Sequence, residues 1–303
     1  MKNIDFPDIS SCLRAYYCSF DAEAVLKRFT PHAVDPHEGL ITNFLGVKVT
    51  PDVIPEHFRH MTGLVEPPPD PGNWHADIAE WAAALWSVEQ AEDSYSIVEL
   101  GCGWGCWLNN MGVAAAQKGL SLSLIGVEGD VGHVNDARKT LLLNGFREQD
   151  CKIIHGIVAA KRGKSFFPIS GHHANEWGSQ AVFFPDEERA TALRAAGQHL
   201  ELDCFTLAEV CAEKVTDLLH IDIQGAELDF VRGSLTDMNR WVKRCLVGTH
   251  SRELDGALFG EFLRSGWRLE MERPTVHRIQ NGYPQVLIDG VQLWRNPTLT
   301  TSE

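Results

Sequence analysis

From residue 96 onward, short apolar runs alternate with amphipathic stretches, the pattern of a parallel sheet covered on both faces by helices. Residues 97–100, 122–127, 152–158, 217–223 and 244–249 read as buried strands. Helices are expected over 106–117 and over 131–144, where Asn144-Gly145 supplies a C-terminal cap, and a third leads from Gln224 to about Gly233. Two apolar stretches, 267–271 and 286–294, close the chain, and Asp289-Gly290 between apolar runs signals a tight hairpin that adds an antiparallel strand. Upstream, residues 19–29 can form a helix and 41–49 a short strand or buried loop. Residues 74–89 read as an amphipathic helix with Ile78, Trp81, Ala82 and Leu85 on one face and Trp74, His75 and Asp77 at its start, where a leading helix can close over a cofactor. The proline cluster Glu66-Pro67-Pro68-Pro69-Asp70-Pro71-Gly72 can continue neither helix nor ladder. It divides an appendage, 1–72, from a main domain, 73–303, and suits the appendage to a substrate lid or an oligomer contact.

The densest chemistry lies in Ile97-Val98-Glu99-Leu100-Gly101-Cys102-Gly103-Trp104-Gly105-Cys106, a strand, an acidic residue and a glycine turn that opens a helix. Glycines at 101, 103 and 105 let the backbone take positive φ and approach a ligand closely. A dinucleotide fingerprint wants G-x-G-x-x-G, but Cys106 stands three residues after Gly103 and the third glycine comes one residue early. The spacing suits S-adenosylmethionine better, with Glu99 on its ammonium side. Glu128, at the end of the second strand and about 20 residues beyond the turn, fits the acid that accepts hydrogen bonds from two ribose hydroxyls. Asp130 caps the helix that follows.

Composition narrows the class. With 303 residues, 44% of them hydrophobic, the chain can bury a large α/β core and a smaller appendage. A net charge of −14 with no Lys/Arg cluster opposes a nucleic-acid substrate. The eight cysteines form no C-x-x-C pair, which favours reduced thiols in a cytoplasmic protein. Neither a membrane-length apolar run nor a signal-peptide core is present, so a soluble protein is expected.

Ligands of open α/β sheets sit outside the carboxyl ends of the strands, which places Glu99, Glu128, Asp222 and His250 on one rim. His250 is the first choice for a general base and Asp222 the second, the latter also able to hold the acceptor or the cofactor. Asp222 and Glu227 are two carboxylates and do not by themselves define a metal site, so no metal is expected. The irregular stretch 161–199 carries His172-His173, adjacent residues that cannot easily share one ion.

These residues resemble the FkbM-like methyltransferases of the class I S-adenosylmethionine-dependent superfamily. The likeness rests on Val98-Glu99-Leu100-Gly101-Cys102-Gly103-Trp104-Gly105, on Val127-Glu128-Gly129-Asp130, and on Phe205-Thr206-Leu207-Ala208-Glu209-Val210 leading to His220-Ile221-Asp222-Ile223-Gln224-Gly225-Ala226-Glu227. His220 and Gln224 stand where the family pattern has lysine and glutamate, and Thr249-His250 resembles its histidine after the fifth strand. The resemblance covers roughly 96–294. It implies a Rossmann-like fold, a mostly parallel seven-stranded sheet with an antiparallel C-terminal strand. It also implies methyl transfer to a hydroxyl on a sugar, glycan or other small-molecule natural product. The cofactor set is then Glu99, Gly101, Cys102, Gly103, Trp104, Gly105, Glu128, Gly129, Ile157 and Asp222, and the catalytic pair His250 and Asp222. Nucleobase amino-methylating enzymes place Asp/Asn-Pro-Pro-aromatic after the fourth strand, where this chain has Asp222-Ile223-Gln224-Gly225. A non-catalytic cofactor-binding module and an NAD-dependent oxidoreductase are the alternatives.

Overall fold

The computed structural model describes residues 9–31, 33–169 and 178–300, so the His172-His173 pair lies outside the described residues. Its centre is an eight-stranded sheet. In chain order the strands are β1 (Tyr17–Cys18), β2 (Ser94–Leu100), β3 (Ser121–Glu128), β4 (Cys151–His155), β5 (Thr216–Ile221), β6 (Val242–Thr249), β7 (Arg268–Arg273) and β8 (Gly290–Arg295). Across the sheet they run β1-β7-β8-β6-β5-β2-β3-β4. The five strands β4-β3-β2-β5-β6 pair in parallel, while β8 inserts antiparallel between β6 and β7, the C-terminal reversal the sequence predicts. The eighth strand, β1, comes from the N-terminal segment, where Tyr17 and Cys18 pair with Glu272 and Met271.

Helices α1 (Ala22–Phe29), α2 (Ile78–Glu89), α3 (Cys106–Gln117), α4 (Val131–Leu143), α5 (Glu227–Trp241) and α6 (Arg252–Arg264) pack around this sheet. One apolar cluster joins Trp81, Leu85 and Trp107 to Val25, Leu26, Ile41 and Phe44, so residues before the proline cluster share a core with α2 and α3. A second cluster packs Phe230 and Val231 of α5 and Leu258 and Phe262 of α6 on the sheet. No helix among the described residues is long and apolar enough to cross a membrane.

The structure departs from the sequence reading in several further places, and the helix expected over 74–89 begins only at Ile78. The stretch 152–158 is not one strand: β4 ends at His155, and Ile157–Val158 leaves to pair with His199–Phe205 in a separate three-stranded sheet with Gly163–Pro168. Gly156 allows the turn, because a Cβ there would come within 2.5 Å of the Phe205 ring. The stretch 161–199 is more regular than expected, holding Gly163–Pro168 and the helix Glu187–Ala196. The helix after Asp222 continues through Gly233 to Trp241, since Ala160 packs where a Cβ of Gly233 would stand. Asp289-Gly290 is a corner and not a hairpin. The hairpin turn is Asn281-Gly282, with φ of 53° and 84°, joining Val276–Gln280 to Tyr283–Ile288. From there Asp289 leads into β8, and Thr249, Asp255 and Thr275 crowd the Cα of Gly290 so closely that only glycine fits.

Asp77 fixes where α2 begins. Its Oδ1 accepts from the backbone N–H groups of Ala79 and Glu80 at 2.8 and 3.1 Å, and its Oδ2 accepts from Arg273 Nε at 2.6 Å. Both side chains are 5% exposed. Removing one partner of a buried ion pair leaves the other charge desolvated, so Asp77→Ala should lower unfolding free energy by about 3–5 kcal/mol. Urea denaturation measures this, and a loss under about 1 kcal/mol would show that Arg273 finds another partner.

Candidate active site

The glycine turn begins where β2 and β5 end side by side. Leu100 is paired with Ile221, and Asp222 N donates to Leu100 O at 3.1 Å. Gly101, at φ 74°, lies so close to the Asp222 carbonyl oxygen that no Cβ fits between them. Gly101 N and Cys102 N both donate to Val127 O, at 2.9 and 3.1 Å, which folds the chain across the end of β3. Gly103 continues the turn at φ 50°. Gly105, in left-handed backbone at φ 78°, caps α3 and packs against Ala137 of α4 and does not line the cleft. Cys102 packs its buried Sγ toward Gly126, beneath the turn.

Two buried carboxylates brace this backbone. Glu99 accepts from Trp107 N at 3.2 Å and Leu108 N at 3.0 Å, satisfying first-turn amides of α3. Burial raises its pKa to about 7 against the lowering effects of His220 and these amides. Glu128 accepts from Gly103 N at 2.9 Å through Oε2 and from Asp130 N at 2.8 Å through Oε1. Asp130 in turn caps α4 by accepting from His133 N at 3.0 Å. Glu128 is thereby fixed at the side of a narrow cleft of about 80 Å³ that Gly101, Gly103, Gly129, Ile157, Phe167 and Phe183 also line. Phe167 packs so near the Gly129 backbone that a Cβ there would lie 2.5 Å from its ring. A carboxylate, open glycine backbone and an apolar wall together fit the ribose and base of a nucleoside.

The cleft opens into a second cavity of about 520 Å³, and Gly101, Gly103, Asp222 and Gln224 line both. Trp74 and Trp104 stack in its wall with centroids 5.9 Å apart, and Trp107 stands beside them. Trp104, inside the turn, therefore belongs to the wall of the larger cavity. His75 lines it too, with neither ring nitrogen hydrogen-bonded among the described residues, and burial lowers its pKa to about 3. His220, buried in the same wall, places Nε2 3.6 Å from Glu80 Oε1. Arg273 reaches the wall but is tied to Asp77 and to the Asp289 carbonyl.

Asp222 and His250 meet at the rim, as their strand-end positions predict. His250 Nε2 lies 3.1 Å from Asp222 Oδ1 and 3.3 Å from Glu227 Oε1, while Nδ1 lies 3.5 Å from Asp289 Oδ1. Burial pushes the imidazole pKa down, but the bonds to Asp222, Asp289 and Glu227 outweigh it and raise the value to about 12. Burial pushes Asp222 up, and His250 outweighs that and holds the carboxyl below its ordinary value. Glu227, fully buried, accepts from Ile223 N at 3.0 Å and Gly225 N at 2.8 Å and so closes the loop after β5.

Thus Glu128, Gly129 and Ile157 share the cleft, Glu99, Cys102, Trp104 and His250 border the cavity, and Gly101, Gly103 and Asp222 join the two. Sequence reasoning missed Phe167, Phe183, Glu80 and Asp289 as lining residues. The only signal for Asp289 was its glycine neighbour, which it read as a hairpin.

The profile of a family described as the methyltransferase FkbM domain matches residues 94–271. A putative methyltransferase of Jannaschia sp. (strain CCS1) is 48% identical over 274 residues, spanning 90% of this chain and 98% of that protein. Among solved structures, the human methyltransferase 10 domain containing protein aligns at 12% identity and TM-score 0.39, covering 72% of this chain and 82% of that one. The C-terminal domain of precorrin-6Y C5,15-methyltransferase from Rhodobacter capsulatus aligns at 10% identity and TM-score 0.38, covering 74% and 90%. The matched segment contains the glycine turn, Glu128, Asp222 and His250, whereas Trp74 and His75 precede it.

If Glu128 holds a ribose, Glu128→Ala should weaken S-adenosylhomocysteine binding at least tenfold by calorimetry, about 1.4 kcal/mol or more. Circular dichroism would check the fold, and unchanged affinity in a folded variant would remove Glu128 from that role.

Proposed function

This chain belongs to the FkbM-domain methyltransferases, which use S-adenosylmethionine as methyl donor, and from that premise we propose that it methylates a hydroxyl oxygen on a sugar-like or other polyhydroxylated small molecule. The observation that carries this reading is the large cavity beside the glycine turn. It presents the stacked rings of Trp74 and Trp104 together with the buried imidazoles of His75 and His220. Aromatic faces pack on the C–H faces of a ring, while convergent polar groups fix its hydroxyls. Buried polar atoms without partners are costly, so His75 supports a ligand that supplies the missing hydrogen bonds. A phosphorylated or nucleic-acid acceptor fits poorly, because Arg273 is already paired and the chain carries a net charge of −14.

When bound, S-adenosylmethionine supplies an electrophilic methyl group carried on a sulfonium. The chain's own residues hold the parts in line and receive the acceptor's proton. Glu128 and the Gly101–Gly103 backbone fix one side, and the tryptophan wall fixes the other. Such positioning can contribute several kcal/mol to lowering the barrier. Asp222 is the proton acceptor in this reading. His250 keeps its own proton among three carboxylates, steadies Asp222 and balances its charge, which shifts it from the general-base role to a positioning one.

The test is turnover with S-adenosylmethionine against a panel of free sugars, glycosides and polyketide-type alcohols, scored by S-adenosylhomocysteine release and by a product heavier by one methylene. An O-methyl ether is expected, and Asp222→Asn should lower kcat by about 10²–10⁴. A product methylated on nitrogen or carbon would contradict the hydroxyl reading. Cellular methylation undiminished by Asp222→Asn and by His250→Ala would favour a non-catalytic cofactor-binding module.

A further inference from the structure

We propose that Asp222, Glu227 and His250 form a divalent-cation site at the edge of the acceptor cavity. One ligand atom from each of these three side chains lies within 4.8 Å of the others. Two edges of that triangle are 3.1 Å, from Nε2 to Asp222 Oδ1, and 3.3 Å, from Nε2 to Glu227 Oε1. With metal–ligand bonds near 2.1 Å, neighbouring ligand atoms stand about 3.0 Å apart in an octahedron and about 3.4 Å apart in a tetrahedron. Both short edges fall in that range.

The surrounding contacts hold the donors in place as ligands require. Asp289 Oδ1 faces Nδ1 at 3.5 Å, so a carboxylate stands behind the histidine and Nε2 is turned toward the other two ligands. Gln224 Nε2 donates to Asp222 Oδ1 at 2.8 Å. The amides of Ile223 and Gly225 fix Glu227, which is fully buried. Without a metal, the Nε2–H of His250 bonds Asp222 Oδ1 and cannot also point at Glu227, and a cation bound there would displace that proton. A cation has no such single direction. Two oxygens and one imidazole nitrogen suit zinc or manganese, with magnesium, which favours oxygen alone, as the comparison.

Asp222 and His250 both line the acceptor cavity, so coordination positions beyond these three side chains are available to an acceptor hydroxyl, whose proton a divalent ion makes easier to remove. That chemical role rests on the hydroxyl-methylation reading, whereas the existence of the site does not.

The experiment strips the full chain with EDTA and titrates it with Mn²⁺, counting free ion by electron paramagnetic resonance. Parallel samples dialysed against Mg²⁺ and Zn²⁺ are analysed for bound metal, and S-adenosylhomocysteine affinity is measured on every sample. The expected result is one ion per chain for at least one of the three metals, with affinity reduced tenfold or more in Asp222→Asn and in His250→Gln. Two results overturn the site: no stoichiometric binding of any of the three, or binding that both variants leave unchanged, which assigns it to surface carboxylates. S-adenosylhomocysteine binding that persists in those cases leaves the methyltransferase reading standing, and its loss from the unmodified chain would count against that reading instead.

Discussion

The site depends on the meeting of β2 and β5. Their ends lie in register, and the hydrogen bond from Asp222 N to Leu100 O extends the ladder one step beyond the strands. That step forces the Gly101 Cα against the Asp222 carbonyl, so glycine is required for packing as well as for positive φ. One close contact thus fixes the turn that borders the narrow cleft relative to the carboxylate at the edge of the larger cavity. Rotating or widening it would move Gly103 away from Glu128 and Asp222 away from the tryptophan wall together.

Carboxylates do much of the local work here, and each is placed differently. Glu99 and Glu128 are buried against backbone amides and hold the turn rigid. Asp77 is buried against a guanidinium and ties α2 to β7. Asp222 and Asp289 stay partly exposed around His250. This last group combines access to the cavity with a shared partner, the arrangement expected of groups that handle a proton or an ion. The N-terminal segment contributes in another way. Its apolar residues share a core with α2, and Leu13, Pro55 and Trp74 border the cavity. Part of the cavity wall is therefore built outside the segment that the family profile matches.

Much of this was legible in the sequence because it is local. The strands from β2 to β6 each carry a short apolar run, α3 begins at Gly105, and α4 is bounded by Asp130 and Asn144. The rim residues followed from strand ends alone. What stayed hidden depends on contacts between distant segments. Whether Asp289-Gly290 is a hairpin or a corner is decided by Thr249 and Asp255 crowding Gly290, and whether Gly233 ends a helix is decided by Ala160. Trp74 and His75 read as the start of a helix able to close over a cofactor, and nothing near them in sequence tells that they stand across a cavity from Asp222.

A crystal structure with S-adenosylhomocysteine bound tests the central claim most directly, that one rim holds the donor in the cleft and the acceptor in the tryptophan-walled cavity. The ribose hydroxyls should rest on Glu128, the base beside Phe167 and Ile157, and the sulfur should open toward Trp74, His75 and Asp222. A ligand whose ribose does not touch Glu128, or whose sulfur points away from that cavity, would contradict the claim.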